Sequence, residues 1–296
     1  MNRPKTSGGA GAARAAVGPA LALPASLVVL FATVIPALLL FRYSFNHYDP
    51  ALLMRTAFTF ENYVKFVKDP YFFAVLWSTV WMSFVCTLFS LVLGFPLAWA
   101  LARTQSRFKS LLVTGLVFPM LVGGVVQMVG WMVILGNAGV VNSVLVALHL
   151  ADRPLRLLYT PLAVMLGLTA YVLPYMVLTL QGVLEGIDFS IEEAARNLGA
   201  GPLRTFVRIV VPVAAPGVAA GAMLVFILCM NGYVTPVLLG GTGITMMAPT
   251  VYDQISHVSN WPFGAALALV LMVTTLALAL GSNFLIHRNY AKTMAS

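Results

Sequence analysis

The chain has 296 residues, of which 60% are hydrophobic and 9% are charged, and its mean hydropathy is +0.92. Soluble domains carry about 25% charged residues, so this composition excludes an ordinary water-soluble globule and indicates that lipid is much of the solvent. The net charge of +8 then indicates loops that orient the chain in a bilayer, rather than a surface for nucleic acid.

Residues 1–18 are rich in Gly, Ala and basic residues, and we expect them to form a flexible cytoplasmic N-terminus. The apolar run that follows, 19–41, contains 23 residues. The core of a signal peptide has only about 7–15 residues, whereas a run of this length crosses about 30 Å of hydrocarbon as a helix. We therefore interpret it as a retained first membrane helix.

Six stretches contain no Asp, Glu, Lys or Arg and are long enough to cross a membrane. They are 19–41, 71–102, 111–135, 157–182, 213–238 and 262–286. Internal prolines do not exclude helix there, because neighbouring helices satisfy the freed carbonyls. The predicted fold class is all-α: a polytopic membrane protein with a six-helix transmembrane domain, 19–286, and a cytoplasmic tail, 287–296.

The basic residues orient the spans. With both termini on one side, that side carries eleven Lys and Arg residues and the other side carries six. The positive-inside rule therefore places both termini in the cytoplasm. The outer loops are then 42–70, 136–156 and 239–261, and we expect short helices at Glu61–Val67 and Val140–Leu150.

The chain lacks the groups that would drive transport by itself. Proton- and sodium-coupled carriers usually need an ionisable side chain inside the membrane, and the six spans have none. The phosphate-binding G-x-x-x-x-G-K-[ST] pattern is also absent. The driving force is therefore expected to come from another subunit, or transport is passive.

Neither the histidines nor Cys86 and Cys229 have metal-ligand spacing. We therefore predict no metal site and no catalytic residue, which argues against an intramembrane enzyme.

The cytoplasmic loop 183–212 is too long for a simple turn, and its first half has the pattern of a short helix. Ser190 is a predicted N-cap, and Glu193, three residues later, completes a capping box. Helical spacing predicts one apolar stripe, which consists of Ile191, Ala194, Ala195 and Leu198. The other face is predicted to carry Glu192, Glu193, Arg196 and Asn197.

The second half of the loop begins with a glycine-rich elbow. Gly199 stands where a left-handed C-cap is expected, and Gly201 permits a sharp turn. Pro202 suits the first position of a second helix, which carries Arg204 and ends before the fifth span at Pro212. Two short amphipathic helices of this kind suit insertion into a groove on a partner, and lying on lipid headgroups is the alternative.

The same loop resembles the EAA loop of binding-protein-dependent ABC importer permeases. The match consists of Glu193-Ala194-Ala195, three residues, Gly199, nine residues, Ile209, one residue and Val211-Pro212. Only Val211 departs from the family pattern, which has Leu there. The resemblance extends over nearly the whole chain because the loop lies between the expected spans, and it implies a type I ABC importer permease fold.

In that family the EAA loop forms coupling helices that sit in a cleft of the cytoplasmic ATPase subunit. The resemblance implies this role for Glu193, Ala194, Ala195 and Gly199, and the predicted coupling surface also includes Ser190 and Arg204. Two compatible roles are open for Glu193, since it can cap the helix and can also contact a basic residue of the ATPase.

Two shorter segments resemble the spermidine/putrescine-type branch of the family. They are 136–145, with the pattern G-x-x-G-hydrophobic-hydrophobic-Asn-x-x-Leu, and 234–241, with V-T-P-x-L-L-G-G. Generic glycine-rich turn chemistry is the alternative. The spans offer aromatic faces but no carboxylate for a polycation, which argues against a charged polyamine site inside this subunit and leaves one in a partner open.

A solute that crosses the bundle must meet its few polar groups at mid-depth. The candidates are Gln127, Asn231 and Tyr233, with Trp131 and Tyr175 as gating or stacking surfaces. Packing and hydrogen bonding between helices is the alternative role for each.

The leading hypothesis is an ABC importer permease in the inner membrane, which translocates a polyamine-like or related organic ion by alternating access. The expected partners are an ABC ATPase dimer, a second permease, a solute-binding protein and lipid, without nucleic acid. No cofactor is expected in this chain, because ATP would be bound by the partner subunits. The alternative is a passive or secondary facilitator.

Overall fold

A computed structural model describes residues 8–294, and the side chains among them except those of 8–22, Ala25, Phe189, Leu203 and 283–294. Twelve α-helices and two π-helical turns account for most of residues 8–294, which contain no β-strand. The helices are α1 (Gly8–Tyr43), α2 (Glu61–Lys68), α3 (Pro70–Arg103), α4 (Lys109–Leu121), α5 (Gly124–Leu135), α6 (Val140–Ala147), α7 (Pro161–Glu185), α8 (Phe189–Asn197), α9 (Pro202–Thr205), α10 (Val211–Met230), α11 (Met247–Ser256) and α12 (Trp261–Met294). The π-helical turns are Phe206–Val210 and Pro236–Gly240.

Six helical segments among the described residues are long and apolar enough to cross a membrane. They are Ser26–Tyr43, Pro70–Arg103, Gly124–Ala147, Pro161–Glu185, Phe206–Met230 and Trp261–Ser282. The predicted all-α class and the number of spans are therefore confirmed. The short helices expected in the first two outer loops are present as α2 and α6.

The first and last helices extend beyond the predicted spans. Helix α1 begins at Gly8, inside the segment 1–18 that the sequence assigns to a flexible terminus, and residues 1–7 lie outside the described part. The alanines of this segment favour helix. Helix α12 likewise continues to Met294, through most of the predicted tail.

The third predicted span, 111–135, is not one helix. Helix α4 ends at Leu121, Val122 and Gly123 are extended, and α5 begins at Gly124. Pro119 lies inside α4 and cannot donate a backbone hydrogen bond, and two adjacent glycines lower the cost of leaving the helical conformation. Both halves of the span contact α7, and the second half also contacts the π-helical turn Pro236–Gly240.

The fifth span begins earlier than predicted. Pro202 starts a helical segment that continues through the π-helical turn into α10 without a separate second loop helix. Pro212 was expected to mark a boundary. The wider π turn, in which the Val211 N–H donates to the Phe206 carbonyl, shifts the hydrogen-bond pattern so that the chain continues through the proline.

Helix α7 forms the centre of the bundle, against α3 on one side and α10 on the other. Glycines allow α7 and α10 to approach closely. Gly217 faces Val183, Gly221 faces Met176, and Gly167 on α7 lies against Leu239 and Thr235. Because lipid is as apolar as the side chains, helices in membranes associate through such close van der Waals contact rather than through the hydrophobic effect.

We expect Gly217→Ala to destabilise the bundle, because a Cβ on Gly217 would overlap the Val183 side chain, including its Cβ atom. Overpacking of this kind costs about 1–3 kcal/mol. The matched control is Gly130→Ala in α5, where a Cβ meets open space and alanine favours helix. Thermal unfolding of the purified chain in detergent should show a lower midpoint for Gly217→Ala alone, and equal midpoints would contradict this packing.

Candidate functional site

Helix α8 lies in the first half of the 183–212 loop, and its N-cap is Asp188, not the predicted Ser190. The Asp188 carboxylate accepts a hydrogen bond from the Ser190 backbone N–H at 2.9 Å. This bond lowers the pKa of Asp188 below its ordinary value, so the carboxylate that forms the cap stays ionised to a lower pH than an ordinary Asp. Ser190 therefore lies inside the helix, and the predicted capping box with Glu193 does not form.

Glu192 corrects the predicted orientation of α8. The sequence pattern placed it on the solvent face, but its side chain is 1% exposed and forms an ion pair with Arg103, which is 17% exposed. Arg103 Nη2 lies 2.6 Å from Glu192 Oε1, and Arg103 Nε donates to the same oxygen at 2.9 Å. A buried carboxylate requires such a partner.

The predicted apolar stripe of α8 is divided between two faces. Ala195 is buried beside Glu192, one turn along the helix. Ile191 and Leu198 are exposed, and Leu198 is 89% exposed. Ala194 is exposed with them. The helix therefore attaches to the bundle through Glu192 and Ala195 and leaves apolar side chains exposed on its other side.

The elbow after α8 has the predicted left-handed glycine. Gly199 has φ +83°, and the Ala200 N–H donates to the Ala195 carbonyl at 3.0 Å. This hydrogen bond closes the helix in the manner of a Schellman cap. Arg204, also assigned to the loop surface, is exposed and lines an open groove with Pro202 and Val207.

A cavity of about 370 Å³ lies where α10 ends. Its polar lining comes from Asn231, Tyr233, Thr235 and Tyr171, and Gly124 and Gly232 lie beside them. The helix breaks here because α10 ends at Met230 and the π-helical turn starts only at Pro236. The structure therefore brings Asn231 and Tyr233, two of the predicted pathway residues, to one cavity.

The other predicted pathway residues have different positions. Tyr175 packs against Tyr171, with ring centroids 6.0 Å apart, and so adjoins the cavity indirectly. Gln127 and Trp131 are half-buried on α5, and neither is among the residues that line the cavity in the described part of the chain. Tyr171 was missed from the sequence, although it stands four residues before Tyr175 and shares its helix face.

An aromatic group extends from the cavity toward the outer face. The rings of Tyr233 and Tyr252 lie 5.0 Å apart, and Tyr252 contacts His257 at 5.8 Å. His257 Nδ1 lies 3.0 Å from an Asp253 carboxylate oxygen. The Asp253 carboxylate is therefore next in the chain to Tyr252. Asp253 lies outside the predicted spans, so the absence of acidic residues from those spans did not reveal it. Across the described residues, no group of three His, Cys, Asp or Glu side chains could hold a metal ion.

The known sequences that resemble this chain are components of transport systems. The sequence profile described as "Binding-protein-dependent transport system inner membrane component" matches residues 70–288. The spermidine/putrescine transport system permease protein PotB of Escherichia coli is 35% identical over 246 residues, which cover 83% of this chain and 89% of that protein. PotB of Haemophilus influenzae is 31% identical over 263 residues, which cover 88% and 92%.

Solved structures share the fold. A chain of a bacterial alginate ABC transporter, in complex with an alginate pentasaccharide-bound periplasmic protein, matches with TM-score 0.78 and 18% identity over 94% of this chain and 96% of that chain. A chain of the MetNI methionine ABC transporter, in an inward-facing conformation, matches with TM-score 0.54 and 18% identity over 73% and 94%.

We expect Gly199→Ala to loosen α8, because an L-residue at positive φ costs about 1 kcal/mol. The matched control is Gly201→Ala: a Cβ meets open space at both positions, but only Gly199 has a positive φ. Hydrogen exchange of the α8 amides in lipid nanodiscs should be about fivefold faster in Gly199→Ala and unchanged in Gly201→Ala. Equal exchange in the two variants would show that the left-handed cap does not hold the helix.

Proposed function

The chain belongs to the family of inner membrane components of binding-protein-dependent transport systems, and from this membership we propose that it imports an organic cation by alternating access. It is a multi-pass inner membrane protein and the permease subunit of an ABC importer. The family has ATPase and solute-binding protein partners. We also propose how this chain contacts these partners and which solute it moves.

The α8 helix and the elbow form the surface that receives the ATPase. The observation that carries this proposal is that α8 has two different sides. One side is buried through Glu192 and Ala195, and another is apolar and exposed, with Leu198 at 89% exposure. Single exposed apolar residues are common, but a capped, anchored helix that directs several of them away from lipid suits the groove of a partner. The small Ala194 side chain permits close approach.

Polar residues complete this surface. Ser190 and Glu193 are exposed on α8, and without a capping box Glu193 is available to a basic residue of the ATPase. Arg204 stands on the other side of the elbow, where its guanidinium suits a carboxylate of the partner. Gly199 fixes the angle between the two parts, so Gly199→Val should abolish transport while membrane insertion is preserved.

ATP is bound by the partner subunits in this proposal, and the chain itself supplies no ATPase site and needs no cofactor. The assembly consists of this chain, a second identical or homologous permease, an ATPase dimer in the cytoplasm and a solute-binding protein on the outer loops. Both termini and the 183–212 loop then lie in the cytoplasm, as the distribution of basic residues indicates. A passive facilitator is not favoured, since it has no use for a docking loop of this kind.

The cavity at the end of α10 supports a polyamine-like cation as the solute. Tyrosine faces attract ammonium groups through cation–π interactions, and Tyr171 and Tyr233 line the cavity. The Asn231 side-chain N–H donates to the Ile227 carbonyl, which leaves its amide oxygen to accept a hydrogen bond from a solute amine. Asp253 adds a negative charge on the outer side. The relatives named above are described as spermidine/putrescine permeases.

Leu198→Asp tests the coupling surface. Burying a Leu side chain contributes about 1.5–3 kcal/mol, so we expect this variant to bind the ATPase at least about tenfold more weakly and to lose ATP-driven accumulation of radiolabelled spermidine in proteoliposomes. Because Leu198 is exposed, folding should not change. Leu150→Asp, which also replaces a leucine that is mostly exposed, at 70%, but in a predicted outer loop, is the control for ATPase co-purification.

Two results would contradict the proposal. One is spermidine uptake by the reconstituted chain that continues without any ATPase. The other is Leu198→Asp that retains both the ATPase and uptake.

Tyr233→Leu tests the solute class. Loss of one cation–π face is worth about 0.5–2 kcal/mol, so spermidine uptake should fall between about twofold and thirtyfold, whereas Tyr233→Phe should retain it. Tyr71→Leu, at an exposed aromatic position near the start of α3, is the matched control. Unchanged uptake in Tyr233→Leu, or an equal loss in Tyr71→Leu, would remove Tyr233 from the solute path.

A further inference from the structure

The coupling loop is covalently continuous with only two membrane helices. Its first residues follow α7, and its last residues run into α10. Helix α3 packs against both of these helices, but 79 residues of chain lie between its end at Arg103 and the loop at residue 183. A displacement of the loop therefore reaches α3 only through non-covalent contacts.

The inner end of α3 makes such contacts with both halves of the loop. Arg103, in its last turn, pairs with Glu192 of α8 and also donates two hydrogen bonds, 3.3 Å each, to the Ile187 carbonyl just before α8. On the other half, the Phe206 ring lies 5.1 Å from the Phe95 ring and 5.4 Å from Trp99.

The geometry of the Arg103–Glu192 contact is more tightly fixed than that of the nearby Lys109–Glu185 contact. The guanidinium holds one carboxylate oxygen through two nitrogens and the backbone through two more hydrogen bonds, which fixes both angle and distance. Lys109–Glu185, which ties α4 to α7 nearby, is a single contact of 2.9 Å between side chains that are 32% and 44% exposed. Water competes for such an exposed pair.

We propose that Arg103 and Glu192 are positioning residues for transport: a buried strut that makes α3 move with the coupling loop. The proposal rests on the role of the loop as the ATPase dock. When the ATPases displace α8, the strut carries the inner end of α3 in the same direction. Helices α3, α7 and α10 then turn as one body around the cavity. Without the strut, only the Phe206 contacts with Phe95 and Trp99 connect the inner end of α3 to the loop, and this end lags behind α7 and α10, so ATP is hydrolysed with less solute moved.

The first test measures whether α3 and α8 move together. Spin labels at Gln105→Cys and Asn197→Cys, both exposed, report the distance between them in a background where the buried Cys86 and Cys229 are replaced by Ala. We expect one narrow distance that is the same in the nucleotide-free and the vanadate-trapped complex. A distance that changes between these states overturns the strut.

The second test removes the pair in two ways. Glu192→Gln leaves Arg103 without its counter-charge and should broaden the distance. If that variant fails to fold, Arg103→Met with Glu192→Met removes the fixed geometry while preserving apolar packing, because well-packed apolar residues can replace a buried ion pair without loss of stability. Lys109→Gln with Glu185→Gln is the matched control and should retain the narrow distance.

The decisive readout is the number of spermidine molecules imported per ATP hydrolysed by the reconstituted complex. A purely structural pair would lower the amount of folded protein but not this ratio. We expect the ratio to fall at least about fivefold in the folded pair variants, the lower end of typical coupling between distant sites. Pair variants with a narrow distance and an unchanged ratio overturn the proposal.

Failure of the strut and failure of the proposed function give different results. If the unaltered complex imports no spermidine, the proposed solute is wrong, and the spin-label distances still decide whether the pair couples α3 to α8.

Discussion

Close contact between α7 and α10 is the interaction on which the rest of the bundle depends. Lipid offers no hydrophobic driving force between helices, so the two hold together by close approach at Gly217 and Gly221. Because the helices run antiparallel, one end of each meets the 183–212 loop and the other end of α10 meets α7 beside the cavity. One helix pair therefore carries the proposed docking surface and the proposed solute path at opposite ends.

The loop shows how a nine-residue helix serves two surfaces. One side of α8 must stay attached to the bundle. The ion pair between Glu192 and Arg103 attaches it through directional bonds, which fix its position more closely than apolar contacts alone would. The other side is then free to remain apolar and exposed at Ile191 and Leu198. Taking two charges out of water costs several kcal/mol per ion before pairing. The benefit of this ion pair is therefore a fixed geometry of α8 rather than a large gain in stability.

The sequence predicted the features that follow from the length of apolar runs and from the helix and glycine pattern of the loop. The six spans, the helical loop and the left-handed Gly199 all follow from patterns within a few residues. The prediction failed where a residue distant in the chain determines the orientation of a side chain. Helical periodicity alone cannot show that Glu192 turns inward, because its partner Arg103 is 89 residues away. The break after α4, the continuity through Pro212 and the Asp188 cap likewise depend on competition between near-equal local options.

The continuity of the chain through the π-helical turn gives the permease a long lever. From Pro202 to Met230 the backbone stays helical, which at 1.5 Å per residue is a span of about 43 Å. A tilt of only about 10° at the elbow would sweep the far end of such a helix by about 7 Å. That far end adjoins Asn231 and Tyr233, so a small rotation at the elbow is magnified into a displacement of several ångströms beside the cavity.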